Sequence, residues 1–244
     1  MATGAGVPVK VNVFETDGTL RFTLTPFDNF SGGATVATGD VTGDGIDDIL
    51  VGAGAGAGPH VKVFDGATGT EIRSFFAFDP AFSGGVSVRA GDVDGDGIAD
   101  IIVGAGPGAG PHIRAFSGTD LALLQDFFAG DPADRGGALV GVGNFVGDGR
   151  LEIVASVGGR IHVFGSDFAR GSTSTYIEQE SLVPFGVGIN AAPATVRLDT
   201  GNTAILIGAV SRGSPHVKII DGTSNAVSSF LAFDETFRGG VNVG

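Results

Sequence analysis

The segment GPHVKVFDG (58–66) returns as GPHIRAFSG (110–118) and SPHVKIIDG (214–222), and more loosely as GRIHVFGSD (159–167) and PVKVNVFETDG (8–18). The last apolar position of each copy falls at Phe14, Phe64, Phe116, Phe164 and Ile220, at spacings of 50, 52, 48 and 56. Self-similarity at such a period marks a repeat architecture. Other landmarks keep step. Gly32-Gly33, Gly84-Gly85, Gly136-Gly137 and Gly239-Gly240 each precede an alternating apolar run, and Asp28, Asp79, Asp131 and Asp234 each stand at the turn before them. The chain therefore divides into repeat units at about 1–33, 34–85, 86–137, 138–188 and 189–240, with 241–244 left over.

Each unit reads as four short strands. In the unit starting at 86 these are about Val86–Gly91, Ile101–Gly104, His112–Phe116 and Leu123–Phe128, with Val, Ile and Phe alternating with small or polar residues and Gly, Asp and Pro between the runs. No helical apolar period lasts ten residues without a glycine, so helices are expected to be nearly absent. Four strands per repeat predict an all-β, five-bladed β-propeller built from four-stranded antiparallel blades as a single domain over 1–244. The first unit begins near a third strand, and Val241-Asn-Val-Gly244 spells a first strand. Pairing of the two in one shared blade would close the ring and hide two sheet edges.

Composition narrows the function. Glycine makes up 44 of 244 residues, without a Gly-X-Y period. With 14 basic and 27 acidic side chains the net charge is −13, which argues against nucleic acid as a partner. No apolar run reaches the roughly 18 residues of a membrane span, and Met1–Gly6 lacks the features of a signal peptide, so no membrane insertion is expected. There are no cysteines, which excludes disulfides and thiolate metal sites.

The chemistry lies between the first and second strands of each unit. In Asp92-Val-Asp94-Gly-Asp96-Gly-Ile98-Ala-Asp100, side-chain oxygens fall at loop positions 1, 3, 5 and 9, with the carbonyl of Ile98 at position 7. Gly95 and Gly97 permit the left-handed turns that wrap so short a loop around a point. Four carboxylates this close repel one another unless a cation neutralises them, and a set of hard oxygens suits Ca2+. The preceding copy offers Asp40, Thr42, Asp44, the carbonyl of Ile46, and Asp48; with a hydroxyl replacing one carboxylate, it is expected to bind somewhat more weakly. The third copy, with Asn144, Asp148, the carbonyl of Arg150 and Glu152, has Val146 at position 3 and is a weaker candidate still. Around Asp199 the spacing is lost.

The run from Phe82 to Gly106, FSGGVSVRAGDVDGDGIADIIVGAG, resembles the FG-GAP/VCBS repeat that also builds the propeller head of integrin α-subunits. The resemblance implies a propeller of bacterial extracellular or surface type whose blade loops bind calcium. Integrin-type propellers have seven blades against the five counted here, and Gly104–Gly110 replaces their Gly-Ala-Pro turn.

Other constellations carry less. Lys10, His60, His112, Arg160 and His216 occupy one repeated position, a ring read chiefly as support for the glycine-rich loops and alternatively as ligand-contacting. GAGAGAGP (52–59) and GAGPGAGP (104–111) lack the Lys-Ser/Thr of a phosphate loop and point to close backbone packing. No GxSxG, HExxH or SxxK motif occurs. The irregular stretch 165–184 holds Tyr176, Glu178 and Glu180.

The sequence thus predicts a non-catalytic, calcium-stabilised binding or scaffold module, extracellular or at the cell surface. Its ligand would be an unidentified protein or glycan, and the chain either a monomer or part of a longer protein. A carbohydrate-binding lectin is the alternative, disfavoured by the absence of Trp and the single Tyr. A polysaccharide-degrading enzyme using 165–184 is a more distant one.

Overall fold

A computed structural model describes residues 2, 5–144, 151–165, 176–177, 191–197, 203–209, 216–221 and 226–231. Among these every regular element is a strand, and no helix is long and apolar enough to cross a membrane. β1 (Val11–Phe14) and β2 (Leu20–Leu24) form a two-stranded sheet. Four four-stranded antiparallel sheets follow, each in sequential strand order. The first comprises β3 (Ala34–Gly39), β4 (Asp48–Ala53), β5 (His60–Phe64) and β6 (Glu71–Phe76). The second comprises β7 (Val86–Gly91), β8 (Asp100–Ala105), β9 (His112–Phe116) and β10 (Leu123–Phe128). The third is β11 (Leu139–Gly143), β12 (Glu152–Val157), β13 (Arg160–Phe164) and β14 (Tyr176–Ile177). The last is β15 (Ala191–Arg197), β16 (Thr203–Ala209), β17 (His216–Asp221) and β18 (Ala226–Leu231). Sequential meanders of this kind are what the repeat predicted. The proposed closing strand at 241–244 lies outside the described residues, as do Glu178 and Glu180.

By internal contacts the chain forms two compact units, one of Met1–Ala90 with Gly97–Gly137 and one of Gly91–Asp96 with Ala138–Gly244. In the first, the second strands β4 and β8 are buried along their whole length, because Ile49-Leu50-Val51 and Ile101-Ile102-Val103 have sheets or loops on both faces. Val61, Val63, Val86, Val88 and Phe78 fill the space between the β3–β6 and β7–β10 sheets. Burial of each such side chain contributes about 1.5–3 kcal/mol. In the second unit β12 is buried throughout, and β11 lies beside β15.

The glycine-rich stretches pack as backbone. Gly54 N–H donates to Gly33 C=O at 3.0 Å, and Gly106 N–H to Gly85 C=O at 2.9 Å. A Cβ on Gly54 would lie 2.4 Å from Gly32 O, and one on Gly106 2.2 Å from Gly84 O. No side chain fits there, which explains the repeated Gly-Gly and GAG spellings together. The phenylalanines divide between interior and surface. Phe75 and Phe116 do meet edge-to-face at 5.1 Å, yet Phe14, Phe76 and Phe128 are exposed.

Candidate metal centre

Register places the acidic loops. Gly39 pairs with Asp48 across β3 and β4, and Gly143 with Glu152 across β11 and β12, so the position-9 residue of each copy is the first residue of a second strand. Asp48, Asp100 and Glu152 are accordingly buried, whereas residues 42–47 and 94–97 are exposed. Gly43 and Gly45 adopt φ of 76° and 87°, and Gly95 and Gly97 84° and 90°, the left-handed turns that the loops require.

In the second loop the chain brings Asp92, Asp94 and Asp100 together, with one oxygen of each within 4.8 Å of the others. Among the described residues this is the one such group of three ligating side chains. Asp92 Oδ1 accepts from Gly95 N–H at 2.6 Å, and Asp94 Oδ1 from Asp96 N–H at 3.1 Å, which hold the loop in its turn. Calcium–oxygen distances of 2.3–2.6 Å allow two ligands of one ion to stand at most about 5 Å apart. The trio meets that limit, so its residues fit a hard cation. Asp96 lies outside the trio, on the exposed tip.

The first loop closes differently. Asp40 Oδ1 accepts from Gly43 N–H at 2.7 Å, Asp44 N–H at 3.1 Å and Thr42 Oγ at 3.4 Å, and Asp40 Oδ2 accepts from Gly45 N–H at 2.8 Å. These donors, Gly45 first, hold the Asp40 carboxyl below its ordinary pKa. Asp44 Oδ1 accepts from Ile46 N–H at 2.8 Å. Asp48 is shifted the other way: burial raises its pKa, against the pull of hydrogen bonds from Gly66 N–H at 3.0 Å and Val41 N–H at 3.1 Å. Of the third copy, Asn144 and Glu152 are described; Asp148 and Arg150 lie outside the described residues.

Sequence reasoning missed what surrounds the loops. Gly66 and Gly118, from the hairpins after β5 and β9, donate their N–H groups to Asp48 and Asp100, and a Cβ on either would fall about 2 Å from the loop backbone at Asp47 O or Ala99 O. The repeated Asp-Gly and Ser-Gly after Phe64 and Phe116 were the available signal. Successive loops are also stitched: Asp40 C=O accepts from Ala99 N–H at 2.9 Å, and Asp92 C=O from Leu151 N–H at 3.1 Å. The donor stands at position 8 of the following loop in both cases.

The FG-GAP repeat family model matches residues 32–69 and 84–112, the two segments that carry these loops. Similar solved structures include the Dos1 propeller (TM-score 0.50, 14% identity, covering 92% of this chain and 54% of that one). A rhamnogalacturonan lyase of Bacillus licheniformis aligns with TM-score 0.53 and 17% identity over 94% of this chain and 45% of its own. An Agrocybe aegerita lectin that recognises non-reducing terminal N-acetylglucosamine aligns with TM-score 0.52 and 19% identity over 95% and 62%. The chain spans about half the length of the first two. Two segments of the chain thus match the FG-GAP repeat, its antiparallel sheets resemble those of β-propellers, and the similar structures include an enzyme and a lectin.

Proposed function

We propose that this protein is a non-catalytic binding or scaffold module of FG-GAP type, stiffened by calcium, that works outside the cell or on its surface. The observation that carries the reading is the convergence of Asp92, Asp94 and Asp100 in a loop that the preceding unit repeats in register. When bound, the ion supplies the positive charge that lets three carboxylates share one short turn. Asp92 and Asp94 would bind it from the loop, and Asp100 from the buried start of β8. Repetition of the acidic positions supports geometry over catalysis, because a catalytic pair is a single asymmetric feature. Closure into five blades belongs to the same proposal, with 241–244 joining the β1–β2 hairpin.

With a Kd near 0.1 mM, about 1 mM calcium stabilises the fold by roughly 1.4 kcal/mol per site, whereas micromolar calcium contributes almost nothing. That dependence supports a compartment rich in calcium. The test is thermal unfolding with calcium and with EGTA. The melting temperature should fall by several degrees on chelation, and Asp94→Ala combined with Asp44→Ala should remove the difference. Coincident curves for the unaltered protein with and without chelator would refute the proposal.

A further inference from the structure

The FDPAF run (78–82) follows β6, and its two phenylalanines lean toward β9 of the next sheet. Phe78 is buried and its ring lies 5.0 Å from the His112 imidazole, tilted by 48°. His112 stacks at 4.4 Å on Phe128. The Arg114 guanidinium lies 5.3 Å above the Phe78 ring, with Nη1 donating to Ala77 C=O at 2.9 Å. One carboxylate, Asp126, takes hydrogen bonds from both His112 Nε2 and Arg114 Nε. Both polar side chains are thus fixed before any ligand arrives, which lowers the ordering cost of binding.

These groups border a cavity of about 290 Å³ lined by the apolar Phe78, Phe82, Ala105 and Ala109 and the polar Asp79, His112 and Arg114. Asp79, an exposed member of this lining, accepts the Ala81 N–H on Oδ1 at 2.9 Å, which fixes its carboxylate. Flat apolar faces beside a fixed carboxylate and a fixed guanidinium suit a ring with C–H faces and hydroxyl edges. The volume, at the lower end for small-molecule pockets, suits one such ring. Asp126 already neutralises Arg114, Asp79 adds a second negative charge, and the chain carries −13, so an anionic sugar gains no net attraction.

We propose that this cleft binds a single neutral sugar ring, such as the end of a neutral glycan, which rests on and deepens the reading as a binding module. The preceding junction repeats the set with Phe27, Asp28 and Phe30 against His60 and Lys62. There His60 lies 5.5 Å from Phe27 and stacks at 4.7 Å on Phe76. At the following junction Gly130 and Asp134 stand where Phe78 and Phe82 would be, and the aromatic walls are missing from the sequence.

The test is a titration of the full chain in calcium with glucose, galactose, mannose, fucose and N-acetylglucosamine, read by NMR on the His112 and His60 imidazoles. Glucuronate and galacturonate serve as anionic probes. At least one neutral sugar should saturate at a Kd of about 1–10 mM, and the uronates should bind at least several-fold more weakly. Phe82→Ala should abolish the His112 response while leaving that of His60, which reports that the variant is folded. Asp79→Asn should weaken the His112 response by about tenfold or more. No saturable shift at either histidine with any neutral sugar would overturn the proposal, as would preference for the uronates. Calcium-dependent melting of the same sample is read separately, so loss of sugar binding with retained calcium stabilisation rejects this inference alone.

Discussion

The β3–β6 and β7–β10 sheets are near-copies, and the places where they differ show what one side chain decides. Position 3 of the acidic loop is Thr42 in the first and Asp94 in the second. A threonine hydroxyl can donate, and Thr42 does so toward Asp40, joining the backbone donors already gathered on that carboxylate. An ionised aspartate can only accept. With Asp94 beside Asp92 and Asp100, three carboxylates lie within 4.8 Å of one another, a set whose mutual repulsion a cation would relieve. Both loops turn about the position-1 carboxylate, Asp40 accepting from Gly43 N–H and Asp92 from Gly95 N–H; the second adds the Asp94 carboxylate beside Asp92 and Asp100.

The largest test of this comparison concerns what the two loops share. Gly66→Ala and Gly118→Ala should each destabilise the protein by about 1–3 kcal/mol, since each new methyl is driven into a loop carbonyl. Urea unfolding should find both costs, with and without calcium. A silent substitution in one sheet would show that the two loops are seated differently. Next in size is an exchange at position 3. Thr42→Asp should raise the calcium stabilisation contributed by the first loop, and Asp94→Thr should remove part of the roughly 1.4 kcal/mol that about 1 mM ion contributes at the second. Calorimetric titration of the two variants reads this directly, and equal affinities would break the distinction drawn from Thr42.

A smaller effect follows from Asp40. Its folded pKa lies below the 3.8 of the free group, chiefly because Gly45 N–H binds the charged form, with Gly43 and Asp44 adding to it. Its contribution is therefore complete above the unfolded pKa and lost as pH falls through the lower, folded one. Asp40→Asn should speed amide exchange at Gly43 and Gly45 whether or not calcium is present. Asp92→Asn should act mainly on the calcium-bound protein. If chelator erases the Asp40→Asn effect, the hydrogen bonds to Asp40 do not hold the first loop without its ion.

Much of this is legible in the sequence alone. The 50-residue period, the Gly-Gly pairs and the alternation from Val86 onward specify sequential four-stranded sheets, because each signal is local and repeated. The loop glycines were legible for the same reason: Gly95 and Gly97 are needed wherever nine residues must turn about their own centre. Convergence was only half legible. Spacing offered Asp94 and Asp96 alike, and it is Asp94 whose carboxylate the fold brings within 4.8 Å of both Asp92 and Asp100. Nor could it reveal Gly66 and Gly118, whose role depends on a hairpin 18 residues away from the aspartates they bind. The aromatic cleft was hidden for a third reason. Asp79 reads as a turn residue, and only the register of β9 brings His112 and Arg114 beside Phe78.

The smallest expected effect distinguishes the same two sheets at their histidines. His112 shares the Asp126 carboxylate with Arg114, whereas His60 Nε2 meets the neutral Ser74 hydroxyl at 2.8 Å and lies between the Phe27 and Phe76 rings. Burial, and then the Lys62 ammonium, lower the His60 pKa below 6.5, with Glu71 opposing them. The unfolded chain then binds more protons than the folded one between the two values, so stability rises with pH through that window and falls as pH drops below the unfolded value. Protonation should thus cost stability at His60. His60→Gln should flatten the decline in melting temperature from about pH 7 to about pH 5, whereas Lys62→Met, by removing a repelling charge, should flatten it less. A steeper decline in His60→Gln would mean that the imidazole gains a proton favourably in the fold, and the reading of His60 would fail.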